Sequence, residues 1–94
     1  MTTASTFPKI RRVKPQAGKI LLVEFDNGVR KVYDCSPLLC DEVFRPLRDE
    51  ALFLCAHADS HGCGIIWNDE IDLAESEVWI NGRIAEPSAA FGEE

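Results

Sequence analysis

No stretch of 18 or more apolar residues occurs in the sequence, which argues against a transmembrane helix and any membrane attachment through one. The opening Met1-Thr2-Thr3-Ala4-Ser5-Thr6 lacks the basic and apolar regions of a secretory signal peptide. A cytoplasmic location follows as the expectation. There are two histidines, His57 and His61, and one methionine. Nothing in the chain has the specificity of a catalytic or cofactor-binding motif, so the reading is a protein that is not an enzyme and carries no cofactor. Internal repeats and linkers are missing as well. The four cysteines, Cys35, Cys40, Cys55 and Cys63, come without a secretory signal. They therefore read as reduced thiols, some of them buried small hydrophobes, rather than as a disulfide framework.

What is present is one domain's worth of chain. At 94 residues and 46% hydrophobic composition, it can bury roughly 60 to 65% of its unfolded surface. Residues 1–8 and 87–94 read as flexible tails, the second acidic, with residues 9–86 between them as a single α+β domain. The net charge of -6 conceals a split. Residues 1–31 carry seven cations, Lys9, Arg11, Arg12, Lys14, Lys19, Arg30 and Lys31, against Glu24 and Asp26. Residues 32–94 carry Arg45, Arg48 and Arg83 against fourteen carboxylates. Such a division can steer an acidic partner, a nucleic acid or a second copy of the chain, or simply solvate the outside of a sheet.

Local patterns define the elements. Ile10 to Lys14 reads as a strand whose apolar residues, Ile10 and Val13, differ in parity, the mark of a bulge or an edge position. Pro15 and Gly18 are expected to turn the chain. Lys19–Asp26 and Val29–Asp34 form a hairpin about Asn27-Gly28, residues that supply the positive φ of tight turns. Leu21, Val23 and Phe25 share its core face. A two-residue turn pairs Glu24 with Lys31; a three-residue loop with Gly28 left-handed pairs Leu21 with Tyr33 and Val23 with Lys31. The second is preferred because it puts Tyr33 with the core. Ser36 as N-cap and Pro37 at the first helical position open a helical segment. Pro46 divides it into two short pieces, and Asp49 caps a further turn. Phe53–Ala58 and Gly64–Trp67 then make a second hairpin over Asp59–Gly62. Two readings of the last stretch stand side by side. Either a capping box at Asp72-Leu73-Ala74-Glu75 starts a helix from Leu73 to about Ile80, or 78–80 and 83–85 form a hairpin about Asn81-Gly82.

The FDNG turn with the following YD-x-SPLL, the FRPLRDEALF segment and WNDEIDL together resemble the bacterial domain-of-unknown-function 2442 family, over about Ile10 to Gly82. The resemblance implies a small antiparallel sheet built from hairpins and packed against a short central helical segment. It also implies a module found alone or ahead of a helix-turn-helix segment, which this chain is too short to contain. Some stand-alone members resemble the antitoxin half of paired small proteins, which implies a protein partner. Asn68-Asp69-Glu70 departs from the Pro-Asn-Gly that frequently follows the family's tryptophan. The family supplies no catalytic residues to carry over.

Cys55, His57, His61 and Cys63 are the residue types of a zinc site. They converge only if the intervening hairpin loop has an odd number of residues, so that His57 opposes Cys63. A metal is accordingly not favoured. Asp69, Glu70, Asp72, Glu75 and Glu77 surround the two tryptophans but lack the glycine and terminal glutamate of a calcium loop. They read as an acidic, helix-capping stretch. Asp59, Ser60 and His61 are consecutive, which prevents the alignment of a hydrolase triad. The leading functional reading is an uncharacterised, non-enzymatic protein-interaction module, antitoxin-like or regulatory, that binds a protein partner or itself. Its partner-binding candidates are Trp79, Asp69, Glu70, Asp72 and the basic Arg11, Arg12 and Lys14, with Phe91 in the tail; Trp67 reads as core. The alternative is a weak nucleic-acid binder using the basic first strand. The absence of stacking aromatics there speaks against sequence-specific binding.

Overall fold

Asn27-Gly28 organises the first half of the molecule. In the computed structural model, which describes residues 7–85, β2 (Ile20–Phe25) and β3 (Arg30–Asp34) pair around it. Gly28 sits at φ 89°, Phe25 N–H bonds to Val29 O at 2.8 Å, and Leu21 opposes Tyr33. This is the three-residue loop, and Tyr33 is buried as expected from it. β1 (Ile10–Gln16) is the edge strand beside β2, with a register shift between Ile10 and Arg12. Pro15 lies in this strand opposite Leu21 rather than in the turn. The edge tolerates its missing N–H, and the turn falls on Gly18 and Lys19, both at positive φ.

The central segment is helical but tighter than an α-helix. Ser36–Cys40 and Arg45–Arg48 are 3-10 turns, followed by α1 (Glu50–Phe53). Pro37 and Pro46 each stand at the start of a turn, where a missing N–H costs nothing. The cap expected from Ser36 does not form: Cys35 holds the N-cap position without a side-chain cap bond, and the Asp34 carboxylate accepts the Ser36 N–H at 2.9 Å. Asp49 caps α1 as expected, accepting from Ala51 N–H. Leu47 and Phe53 drop from this segment into the core against Leu21, Val23 and Phe25. Cys35 joins them, its thiol pushed up to about 12 by burial and by the neighbouring Asp34 charge. The other three cysteines are exposed, so the buried-thiol reading holds for one.

The remaining strands divide the α+β fold into two antiparallel sheets. β4 (His57–Ala58), β5 (Gly64–Asn68) and β6 (Ile71–Ala74) form one, ordered β4-β5-β6. β7 (Arg83–Ile84) adds to β3 and completes the other as β1-β2-β3-β7. The extended run expected from Phe53 is shorter, because Phe53 closes α1 and the chain straightens only at His57. Ala56 is buried, and Trp67 is buried with its indole N–H on Phe53 O at 3.1 Å. Neither reading of the last stretch holds whole. Ile71 and Leu73 alternate inward with Asp72 outward, so residues 71–74 are a strand and the capping box does not form. α2 (Glu75–Asn81) follows without a side-chain cap, and 83–84 pair with β3 instead of folding back on 78–80. The tails expected at 1–8 and 87–94 lie outside the described residues, apart from Phe7 and Pro8, and so does Phe91.

Candidate protein-interaction surface

Glu24 claims much of the basic first strand. It is buried on the outer face of the four-stranded sheet, opposite both Arg12 and Arg30. Arg12 Nε donates to Glu24 Oε1 at 2.9 Å and Arg30 Nε to Oε2 at 3.2 Å. Those two guanidiniums, Arg12 foremost, hold its carboxyl below the usual range against the opposing effect of burial. The bulge brings Arg11 round as well, its guanidinium 3.9 Å from Glu24 and donating to Asp26 O at 3.0 Å. Lys14 pairs with Leu22 on the same face. Arg11 and Arg12 therefore serve the sheet before they serve any phosphate.

The acidic candidates are placed differently. Asn68 Oδ1 accepts from Glu70 N–H at 2.8 Å and Ile71 N–H at 2.9 Å, which fixes the turn in place of the family's frequent Pro-Asn-Gly. Asp69 and Glu70 are exposed at its tip and Asp72 on the outer side of β6. The four residues considered for metal do not converge. Ala58 opposes Ile65, and Asp59 N–H bonds to Gly64 O. The loop is thus even, and Cys63 falls on the side away from Cys55 and His57. Cys63 instead receives the Lys9 ammonium at 3.6 Å, while Lys9 also pairs with Glu75 at 3.3 Å. Among the described residues no three of His, Cys, Asp or Glu gather in a metal-binding group.

The corner where α2 meets β7 carries the two most exposed large apolar side chains among the described residues. Trp79 lies half-buried with its ring edge-to-face on Phe25 at 5.1 Å. The Lys31 ammonium sits 4.2 Å from the Trp79 ring centroid and donates to Trp79 O. Beyond this stack Ile80 is 64% and Ile84 70% exposed, more than Val43 at 55% or Leu54 at 51%. β7 is also an edge strand. Ala85 N–H bonds to Arg30 O at 2.9 Å, so by strand alternation the Ile84 N–H and C=O face outward. Sequence reading reached Trp79 and missed Ile80 and Ile84. The signal for them is the departure of Ile80 from the buried Val78, and it becomes readable only once 78–80 are known to be helical.

On the other side of the corner, Glu77 Oε2 accepts from the Tyr33 hydroxyl at 2.9 Å and from Asn81 Nδ2 at 2.8 Å. Burial, and after it the Glu77 contact, raises the Tyr33 phenol well above its ordinary value. It stays a donor at any physiological pH.

A family model described as "Protein of unknown function (DUF2442)" matches residues 10–82. No curated protein and no solved structure matches the chain. Among the described residues no helix is long and apolar enough to cross a membrane.

Proposed function

The chain belongs to the DUF2442 family of proteins of unknown function, and on that premise we propose that it is a non-enzymatic protein-interaction module, the antitoxin-like or regulatory half of a small-protein pair. The observation that carries this reading is the exposure of Ile80 and Ile84 beside the outward-facing backbone of β7. An extended partner segment adding to such an edge gains main-chain hydrogen bonds, and apolar side chains set specificity. Trp79, pinned by Phe25 and Lys31, gives the patch a rigid aromatic base of the type found at interface anchors. The commitment of Arg11, Arg12 and Arg30 to Glu24 supports a protein partner over nucleic acid. The test is co-purification with the product of the neighbouring open reading frame. Ile80→Lys and Ile84→Lys, both at exposed positions, are expected to weaken the complex at least tenfold with the thermal midpoint of the free protein unchanged. Undiminished binding by both variants would discard this corner, and failure of the neighbouring product to bind would remove the reading's main support.

A further inference from the structure

β7 is shorter than the strand it pairs with, and a cleft of about 350 Å³ opens where it stops. β7 begins at Arg83, opposite Val32, while β3 continues through Tyr33 to Asp34. Since Arg30 and Val32 turn their backbone groups toward β7, alternation turns the Asp34 N–H and C=O the same way, past the strand's end. Tyr33, Asp34, Leu38, Glu77, Asn81 and Arg83 are among the residues lining this space. Its electrostatics are uneven. Glu77 is held by two neutral donors, Tyr33 and Asn81, both on Oε2, and among the described residues no cation pairs with it. Asp34 gives one oxygen to Ser36 N–H. Against these two carboxylates the lining holds the single guanidinium of Arg83.

We propose that this cleft is the subsite for an arginine side chain of the protein partner that docks on the α2–β7 corner. The inference rests on the protein-interaction reading and names the chemistry of the partner. An arginine suits the site for three reasons. Its planar fork offers several N–H donors at once, and here the Glu77 carboxylate and the Asp34 carbonyl are separate acceptors. Its aliphatic stem packs on apolar walls such as Leu38. Its charge offsets the surplus carboxylate that no neutral donor can cancel.

The experiment uses the full chain labelled with nitrogen-15 and two probes, N-acetyl-arginine amide and its neutral isostere N-acetyl-citrulline amide. The arginine probe should shift the Asp34 amide and the Asn81 side-chain amide saturably, the citrulline probe should leave them in place, and Glu77→Gln should weaken the arginine response at least fivefold. Equal responses to the two probes, no response, or a non-saturating shift shared equally with Asp69, Glu70 and Asp72 would overturn the subsite. The contrast between probes on the wild-type chain decides the matter even if Glu77→Gln does not fold. A neighbouring gene product that loses affinity for Ile84→Lys but not for Glu77→Gln removes the arginine subsite and leaves the interaction reading standing. Saturable arginine binding by a chain that binds no protein partner does the reverse.

Discussion

Glu24 shows how a single residue can be misjudged when only its type is known. On the polar parity of β2 it reads as a solvated charge, yet it is 6% exposed and clasped between Arg12 and Arg30. The charge is tolerated there because both oxygens accept from guanidinium groups, the strong form of hydrogen bond. Both arginines remain partly open to water, at 40% and 26% side-chain exposure, so screening reduces what the clasp contributes. Glu24→Gln is expected to cost about 1–2 kcal/mol at pH 7, measured by urea unfolding, mainly because two cations lose their partner. The sign with pH follows from the lowered folded value. The contribution is fully present above the ordinary glutamate value of about 4.3 and disappears as pH falls through the lower folded value. The gap between wild type and variant should therefore close in acid; a gap that persists to pH 2 would mean the cost is steric. Leu21, Val23 and Phe25, by contrast, were legible from the two-residue period of a strand, while the place of Tyr33 turned on which of two hairpin registers forms.

Among the elements, those whose identity rests on local chemistry were readable, and those set by distant neighbours were not. Asn27-Gly28 and the Asp49 cap needed nothing beyond adjacent residues. Residues 71–74 needed β5, since Ile71 and Leu73 become strand residues only because Asn68 and Ile65 stand opposite them. The same holds for the Asn81-Gly82 boundary, where the Asn-Gly pair suggests a hairpin turn. Gly82 is at φ -77°, a value any residue adopts, so its smallness rather than its freedom is what the fold uses. A Cβ there would lie 2.6 Å from Val78 O and 3.4 Å from both Lys31 Cβ and Val32 O. Backbone oxygens cannot move aside as a flexible side chain can. Gly82→Ala should destabilise the protein by about 1–3 kcal/mol, as overpacking does, and should loosen β7 in particular. Hydrogen exchange reports this directly: the Ala85 amide, bonded to Arg30 O, should lose protection more than the Phe25 amide. Equal loss at both would show general destabilisation rather than detachment of β7. Of the proposed interaction corner the sequence offered Trp79 alone, since Ile80 and Ile84 come beside it only where α2 and β7 pack against β3.

At the scale of the whole molecule, the charge division of the sequence is largely consumed by folding. The basic first third is laid against the acidic remainder. Lys9 meets Glu75, and Lys19 meets Glu50 at 2.6 Å. Lys31 is turned onto Trp79, and Arg12 and Arg30 close on Glu24 within their own sheet. These pairs are mostly at the surface, so each adds little to stability. Their larger consequence is for recognition. A nucleic-acid binder gains affinity by releasing counterions from phosphates, which requires cations that are not already neutralised. Here Arg11 and Arg12 of the first strand are engaged by Glu24 and Asp26 O, and the molecule as a whole carries a net charge of -6, which repels a polyanion at long range. Generic duplex DNA or single-stranded RNA at about 50 mM salt should accordingly show no binding by fluorescence anisotropy, where a protein making several phosphate contacts would bind measurably and lose that affinity steeply as salt rises. Glu24→Gln makes the comparison sharper, because it leaves the Arg12 and Arg30 charges without the Glu24 carboxylate while the fold persists. Weak, salt-sensitive binding that emerges only in this variant would show that intramolecular pairing is what keeps the basic strand silent. Strong salt-sensitive binding by the wild type would instead return the first strand to consideration as the functional surface.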